Sequence, residues 1–210
     1  MKIGAFIIML TLAAPAMAEP LPPLLKEIES KYAAAVTLLV RFKQVNDVAA
    51  MKQRKVSSGM IAAKRPNKIR WETLEPDPNL LVSDGRVFWF YTPPFDKDER
   101  GQLIKRRTSQ VQSRVATALL SGAFSIAKDM KIKRKNDTTF TLTPKPGTAG
   151  TVKRAEISVN LQKKIIERVI LEHKGGNRSE ITLSSIELGK KLGDEMFVFT
   201  APPSTDLVEE

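Results

Sequence analysis

The chain has 210 residues, with 34 lysines and arginines against 23 aspartates and glutamates, one histidine and no cysteine. The lack of cysteine excludes disulfides, thiolate metal sites, cysteine nucleophiles and a lipid-modified cysteine together. A formal net charge of +11 leaves nucleic acid, an anionic membrane surface or an acidic protein as electrostatic partners.

Residues 1–18 read as a cleavable secretory signal: Lys2 supplies the positive end, an apolar run extends from Ile3 to Ala14, and Ala16-Met17-Ala18 forms the small-residue site before Glu19. The run is shorter than the roughly 20 residues that span a bilayer, and Pro15 interrupts it. Removal of those 18 residues leaves a single predicted domain, 19–210, of 192 residues; Lys2 is the only charge lost, so the net charge becomes +10. Export makes nucleic acid the least suitable of the three partners.

From Leu21 to Val40 the apolar residues Leu21, Leu24, Leu25, Ile28, Tyr32, Ala35, Val36 and Leu39 recur at three- and four-residue spacing, which predicts an amphipathic helix opened by a proline-rich turn. A second helix is predicted over 111–124, with Val111, Val115, Ala118, Leu119 and Leu120 on one face and Gly122 as its stop. The rest reads as short strands over 40–48, 55–63, 69–74, 80–83, 87–91, 103–108, 131–135, 138–143, 152–160, 165–173, 179–188 and 196–200. Turn signals such as Ser83-Asp84-Gly85 and Lys174-Gly175-Gly176-Asn177 join them into one large antiparallel, meandering sheet.

Alternation along these strands places apolar groups on both faces. Val87, Trp89 and Tyr91 point one way and Phe88 and Phe90 the other; Ile165, Val169 and Leu171 oppose Ile166 and Ile170. A sheet exposed on one side alternates apolar with polar, so here each face needs cover or encloses a hollow. A filled core and a ligand cavity both satisfy that pattern.

Little in the sequence points to catalysis. The single histidine, His173, precedes a glycine turn with no serine nucleophile motif, phosphate-binding glycine loop or metal-spaced histidine beside it. The carboxylates Glu72, Glu75, Asp77, Asp84, Asp96, Asp98 and Glu99 lie mostly next to prolines, glycines and lysines, as solvated turn residues do. The protein therefore reads as a non-enzyme without cofactor or metal. Lys105-Arg106-Arg107, followed by Arg114, forms a basic tract that suits either a solvated loop or a docking patch for an anionic surface or acidic partner.

One ordered set of motifs carries a resemblance. The chain runs Gly59-Met60-Ile61-Ala62-Ala63-Lys64-Arg65-Pro66-Asn67-Lys68-Ile69-Arg70-Trp71-Glu72, continues through Leu80-Leu81-Val82-Ser83-Asp84-Gly85, and reaches Val87-Phe88-Trp89-Phe90-Tyr91. Phe42-Lys43-Gln44 precedes it; Leu119-Leu120-Ser121-Gly122, Phe140-Thr141-Leu142-Thr143-Pro144-Lys145 and Phe197-Val198-Phe199-Thr200 follow. This resembles the LolA family, periplasmic carriers that move lipoproteins from the inner to the outer membrane of Gram-negative bacteria. Two departures fall late in the chain: His173 stands where family members often have aspartate, and Pro202-Pro203-Ser204-Thr205-Asp206 replaces a Pro-Pro-Gly-Val-Asp ending.

The resemblance implies a mainly β fold: an unclosed, highly curved antiparallel sheet, a half-barrel of about eleven strands, with a lid of a few α-helices over an apolar cavity. It implies a periplasmic, monomeric chaperone that binds acylated lipoproteins, receives them from an inner-membrane lipoprotein-releasing ABC transporter and passes them to an outer-membrane receptor. Phe42, Ile69, Trp71, Trp89, Tyr91, Leu119 and Phe140 are the expected lipid-binding residues, and Arg65 the expected lock of the lid through Leu120 and Ser121. Lys105, Arg106, Arg107 and Arg114 are the expected docking residues. The alternative within the same fold is a lipid or lipoprotein sensor of the envelope.

Overall fold

The computed structural model describes residues 21–107, 130–145 and 150–208. The chain enters through a helix, α1 (Pro23–Ala35), with proline in its first turn, where a missing N–H costs nothing. The helix is shorter than its apolar periodicity predicts. At Val36 the backbone turns to φ 61°, and Thr37 begins a strand instead. The residues after Val36 are claimed by two neighbouring strands at once, and that pairing overrides helical spacing. The corner is tied down by the Arg65 N–H donating to the Val36 carbonyl at 2.9 Å and by the Thr37 hydroxyl donating to the Lys190 carbonyl at 2.8 Å.

The twelve strands among the described residues are β1 (Thr37–Val48), β2 (Gln53–Lys64), β3 (Lys68–Glu75), β4 (Asn79–Ser83), β5 (Val87–Thr92), β6 (Gly101–Arg107), β7 (Met130–Arg134), β8 (Thr139–Pro144), β9 (Val152–Asn160), β10 (Ile165–His173), β11 (Arg178–Leu188) and β12 (Thr205–Val208). They form one open sheet in the order β12-β6-β5-β4-β3-β2-β1-β11-β10-β9-β8-β7. All pairings are antiparallel except β12, which lies parallel to β6. Two chain-order meanders thus meet at the β1–β11 pair, giving the unclosed, mainly β half-barrel. The sheet has one strand beyond the expected eleven or so, the four-residue β12.

Register assigns the two faces. Leu38, Val40 and Phe42 of β1 stand beside Ala63, Ile61 and Gly59 of β2, and on the other side Leu38 and Phe42 pair with Leu188 and Leu183 of β11. With Ile157, Val169, Ile181, Phe140 and Leu142 they make one core, and Leu25, Ile28 and Tyr32 of α1 pack into it. This is the concave face. A buried N–H left by the irregularity in β10 is satisfied here: Ile166 donates to the Tyr32 hydroxyl at 3.1 Å.

The convex face is treated differently along its length. Over β1 and β2, Leu39 and Ala62 are covered by Leu192, Met196 and Phe197 from the segment after β11. That segment was expected to be a strand over 196–200; Asp194–Phe197 is instead a 3-10 turn, because its apolar side chains pack down onto a sheet face and not beside an edge. Over β8 to β11 the convex face is charged, with Lys135–Glu156, Arg154–Glu172 and Arg178–Glu180 ion pairs at 2.6–2.8 Å. The concave face is thus covered by α1, and the convex face by apolar packing over β1 and β2 and by paired charge over β8 to β11. The predicted helix over 111–124 lies outside the described residues.

Candidate functional site

The concave face between α1 and the middle strands carries the motif residues. Phe42 and Trp71 meet edge to face, ring centroids 5.2 Å apart at 65°. Gly59 makes this approach feasible. A Cβ there would fall 1.9 Å from the Glu72 carbonyl oxygen and 3.0 Å from the Phe42 ring, so only glycine fits under the aromatic pair. Ile69 is buried two residues before Trp71, on the same face, and Leu81 of β4 pairs with Trp71. Phe140 is fully buried further along the same face on β8. Trp71 itself is only partly buried, at the edge of the apolar cluster.

Trp89 and Tyr91 do not share that face. Leu81, beside Trp71, pairs across β4–β5 with Phe90, whereas Trp89 pairs with Val82 and Tyr91 with Leu80 on the opposite side. Phe88, paired with Ser83, belongs to the concave core. Tyr91 packs instead against Phe199 at 5.1 Å, and its ring occupies the space a side chain at Gly101 would need. Sequence alternation separated the two sets of β5 residues; only the register to Trp71 says which set faces α1. Phe88 and Phe90 are thus the concave-face aromatics that the sequence did not single out.

The basic tract divides in the same way. Lys105 pairs with Trp89 and is on the convex side, whereas Arg106 pairs with Phe88 and is on the concave side. The side chain of Arg107, and Arg114 entirely, lie outside the described residues, as do Leu119, Leu120 and Ser121. Side chains of consecutive strand residues alternate in face, so Lys105 and Arg106 point to opposite sides of β6.

Arg65 is exposed in the β2–β3 turn, where its backbone holds the α1–β1 corner. Lys64 and Lys68, paired across the ends of that turn, both reach Asp194, at 2.6 and 3.1 Å. Those two ammonium groups hold the Asp194 carboxyl below its ordinary 3.8. The same turn thus touches the helix corner on one side and the convex strap on the other. At the tight Ser83-Asp84-Gly85 turn, burial works against ionisation of Asp84, but N–H bonds from Val87 and Arg86 at 2.9 and 2.8 Å outweigh it and lower its pKa.

Burial pushes the Tyr32 hydroxyl up to about 12, against the opposing effect of the Ile166 bond, so it is neutral at any physiological pH. His173 contacts the Thr151 hydroxyl at 3.1 Å and faces no carboxylate or nucleophile in hydrogen-bond reach among the described residues. No three His, Cys, Asp or Glu side chains converge as metal ligands among the described residues. No helix among them is long and apolar enough to cross a membrane.

A model of the family described as "Outer membrane lipoprotein carrier protein LolA" matches residues 33–200. An outer-membrane lipoprotein carrier protein of Dechloromonas aromatica is 30% identical over 178 residues, 83% of this chain and 82% of that one. One from Psychromonas ingrahamii is 31% identical over 157 residues, 73% of this chain and 72% of that one. In fold, the chain is similar to an uncharacterized conserved protein from Thermus thermophilus, with a TM-score of 0.52 at 11% identity, covering 88% of this chain and 98% of that chain. The matched span runs from the last turn of α1 through the convex strap and includes Gly59, Phe42, Trp71 and the Arg65 turn, and the chain belongs to the LolA family.

Proposed function

We propose that this protein is a periplasmic chaperone that binds the acyl chains of lipoproteins released from the inner membrane and carries them to the outer membrane. The observation that carries the reading is the concave face: a helix and an open sheet enclose apolar residues up to the contact of buried Phe42 with partly buried Trp71, in a chain of the LolA family. An acyl chain gains ~0.8 kcal/mol per methylene on leaving water, so a diacyl or triacyl protein crosses an aqueous compartment only if something else covers its chains. An open sheet under a helix can offer such cover and still let the ligand leave, which a closed, filled barrel cannot.

The residues assigned to the acyl chains are Phe42, Ile69, Trp71 and Phe140, with Leu119 from the predicted lid. Arg65 is assigned to holding that lid through Leu120 and Ser121, because a guanidinium offers five donors in a rigid fork. The signal at residues 1–18 delivers the mature domain to the periplasm, where an inner-membrane lipoprotein-releasing transporter donates the cargo and an outer-membrane receptor accepts it.

Mass spectrometry of species co-purified with the protein from its native periplasm tests the proposal. Acylated lipoproteins in a one-to-one complex are the expected result. Their absence, together with normal outer-membrane lipoproteins after depletion of the protein, would exclude the carrier role.

A further inference from the structure

The concave face changes character along β1. Leu38, Val40 and Phe42 are followed on the same side by Gln44 and Asn46. Gln44 pairs with Ser57 of β2 and Ile181 of β11, and Asn46 with Lys55 and Ser179. The Gln44 Nε2 donates to Asn46 Oδ1 at 2.9 Å, and the Ser179 hydroxyl donates to the same oxygen at 2.6 Å. All three side chains are partly buried. With Oδ1 accepting twice, the two Asn46 Nδ2 donors and the Gln44 Oε1 acceptor are the groups that face outward, and neither has a protein partner among the described residues.

We infer that this amide cluster is the subsite for the polar linkage of an acylated ligand: Asn46 Nδ2 donates to an ester carbonyl, Gln44 Oε1 accepts an amide N–H, and the hydrocarbon runs over Phe42 and Trp71. The inference rests on the carrier reading and adds to it a recognition element for the linkage. Three observations carry it. The cluster continues the apolar surface on one face of one strand, two residues beyond Phe42. It is neutral and offers both a donor and an acceptor, which matches an ester beside an amide. Its internal bonds hold the Asn46 and Gln44 amides side by side, so the cluster is ordered before a ligand arrives.

The test uses the full mature chain and two probes: a synthetic lipopeptide with ester-linked diacyl chains, and the same lipopeptide with ether-linked chains, which lacks the ester carbonyls. Asn46→Asp keeps the acceptor used by Ser179 and Gln44 but replaces the two donors with a carboxylate oxygen. It is expected to weaken the ester probe roughly tenfold while the ether probe changes less than about twofold. Asn46→Leu, whose folding is checked by its thermal transition, gives the same selective loss without adding charge. Equal weakening of both probes by both variants, or no change for either, overturns the subsite. If neither probe binds the unsubstituted protein, the carrier reading itself fails.

Discussion

The Phe42 and Trp71 rings, 5.2 Å apart, lie on the face against which α1 packs, while Trp89 stands on the opposite side of the same sheet. The two tryptophans of the chain therefore report on different surfaces. A Trp89→Phe variant leaves Trp71 as the sole indole and is expected to keep the full fluorescence change on adding a diacyl lipopeptide. Trp71→Phe is expected to lose most of that change. A response that follows Trp89 would move the ligand to the convex face.

Gly59 permits the aromatic contact through what it lacks. Gly59→Ala puts a methyl 1.9 Å from a backbone oxygen that is fixed in the β2–β3 pairing. Separation of the two strands is the only relief, at a cost of about 2–3 kcal/mol. Urea unfolding should show a lower midpoint with an unchanged slope.

Tyr32→Phe removes the acceptor for the Ile166 N–H inside the core and costs ~1–3 kcal/mol. The pH dependence of the parent has a definite sign. The folded-state value, about 12, is above the ordinary 10.0, so the neutral hydroxyl contributes fully below pH 10 and its contribution drains as pH rises between 10.0 and about 12. Chemical denaturation across that window should show a falling stability in the parent and a flatter profile in the variant.

Asp194 fastens the convex strap to Lys64 and Lys68. Its folded-state value is depressed, so the attachment is complete above the ordinary 3.8 and weakens as the pH falls below it. Asn at this position should lower the thermal midpoint at pH 7, with parent and variant converging in acid below pH 3.8. A gap that persists at pH 2 would assign the effect to packing and not to charge.

Arg65→Leu separates loading from release. The variant is expected to take up acylated cargo at the parental level and to release it at least tenfold more slowly to outer-membrane vesicles, since the guanidinium that would reclose the lid is gone. Parental release rates would remove the locking role. The backbone bond from residue 65 to Val36 does not depend on the side chain, and the thermal transition of the variant checks its folding.

Strand positions were largely legible because apolar alternation and turn residues are local properties. β9 (Val152–Asn160) and β10 (Ile165–His173) have the bounds that their sequence pattern sets. Alternation in β5 likewise separated Trp89 and Tyr91 from Phe88 and Phe90. The helix end differs from its local pattern because the competing partners are remote: Leu39 keeps helical spacing, but β2 and β11 supply hydrogen bonds that no local pattern announces. Asp194–Phe197 turned into a 3-10 strap for the same reason, since its partners Leu39 and Ala62 are far away in the chain.

The sequence by itself determined most strand positions, the export signature, the motif set around Gly59, Arg65 and Trp71, and the need to cover two apolar faces, because each depends on residue type and near-neighbour spacing. Tertiary structure alone decided which face was which. A strand's side-chain period of two gives two equivalent choices, and only the register from Trp71 through Leu81 to Phe90 resolves them. That register puts Phe88 with the core, turns Trp89 and Tyr91 to the opposite face, where Tyr91 meets Phe199, and splits Lys105 from Arg106; the β1 pairings with β2 and β11 set Gln44 and Asn46 at the polar end of the concave face.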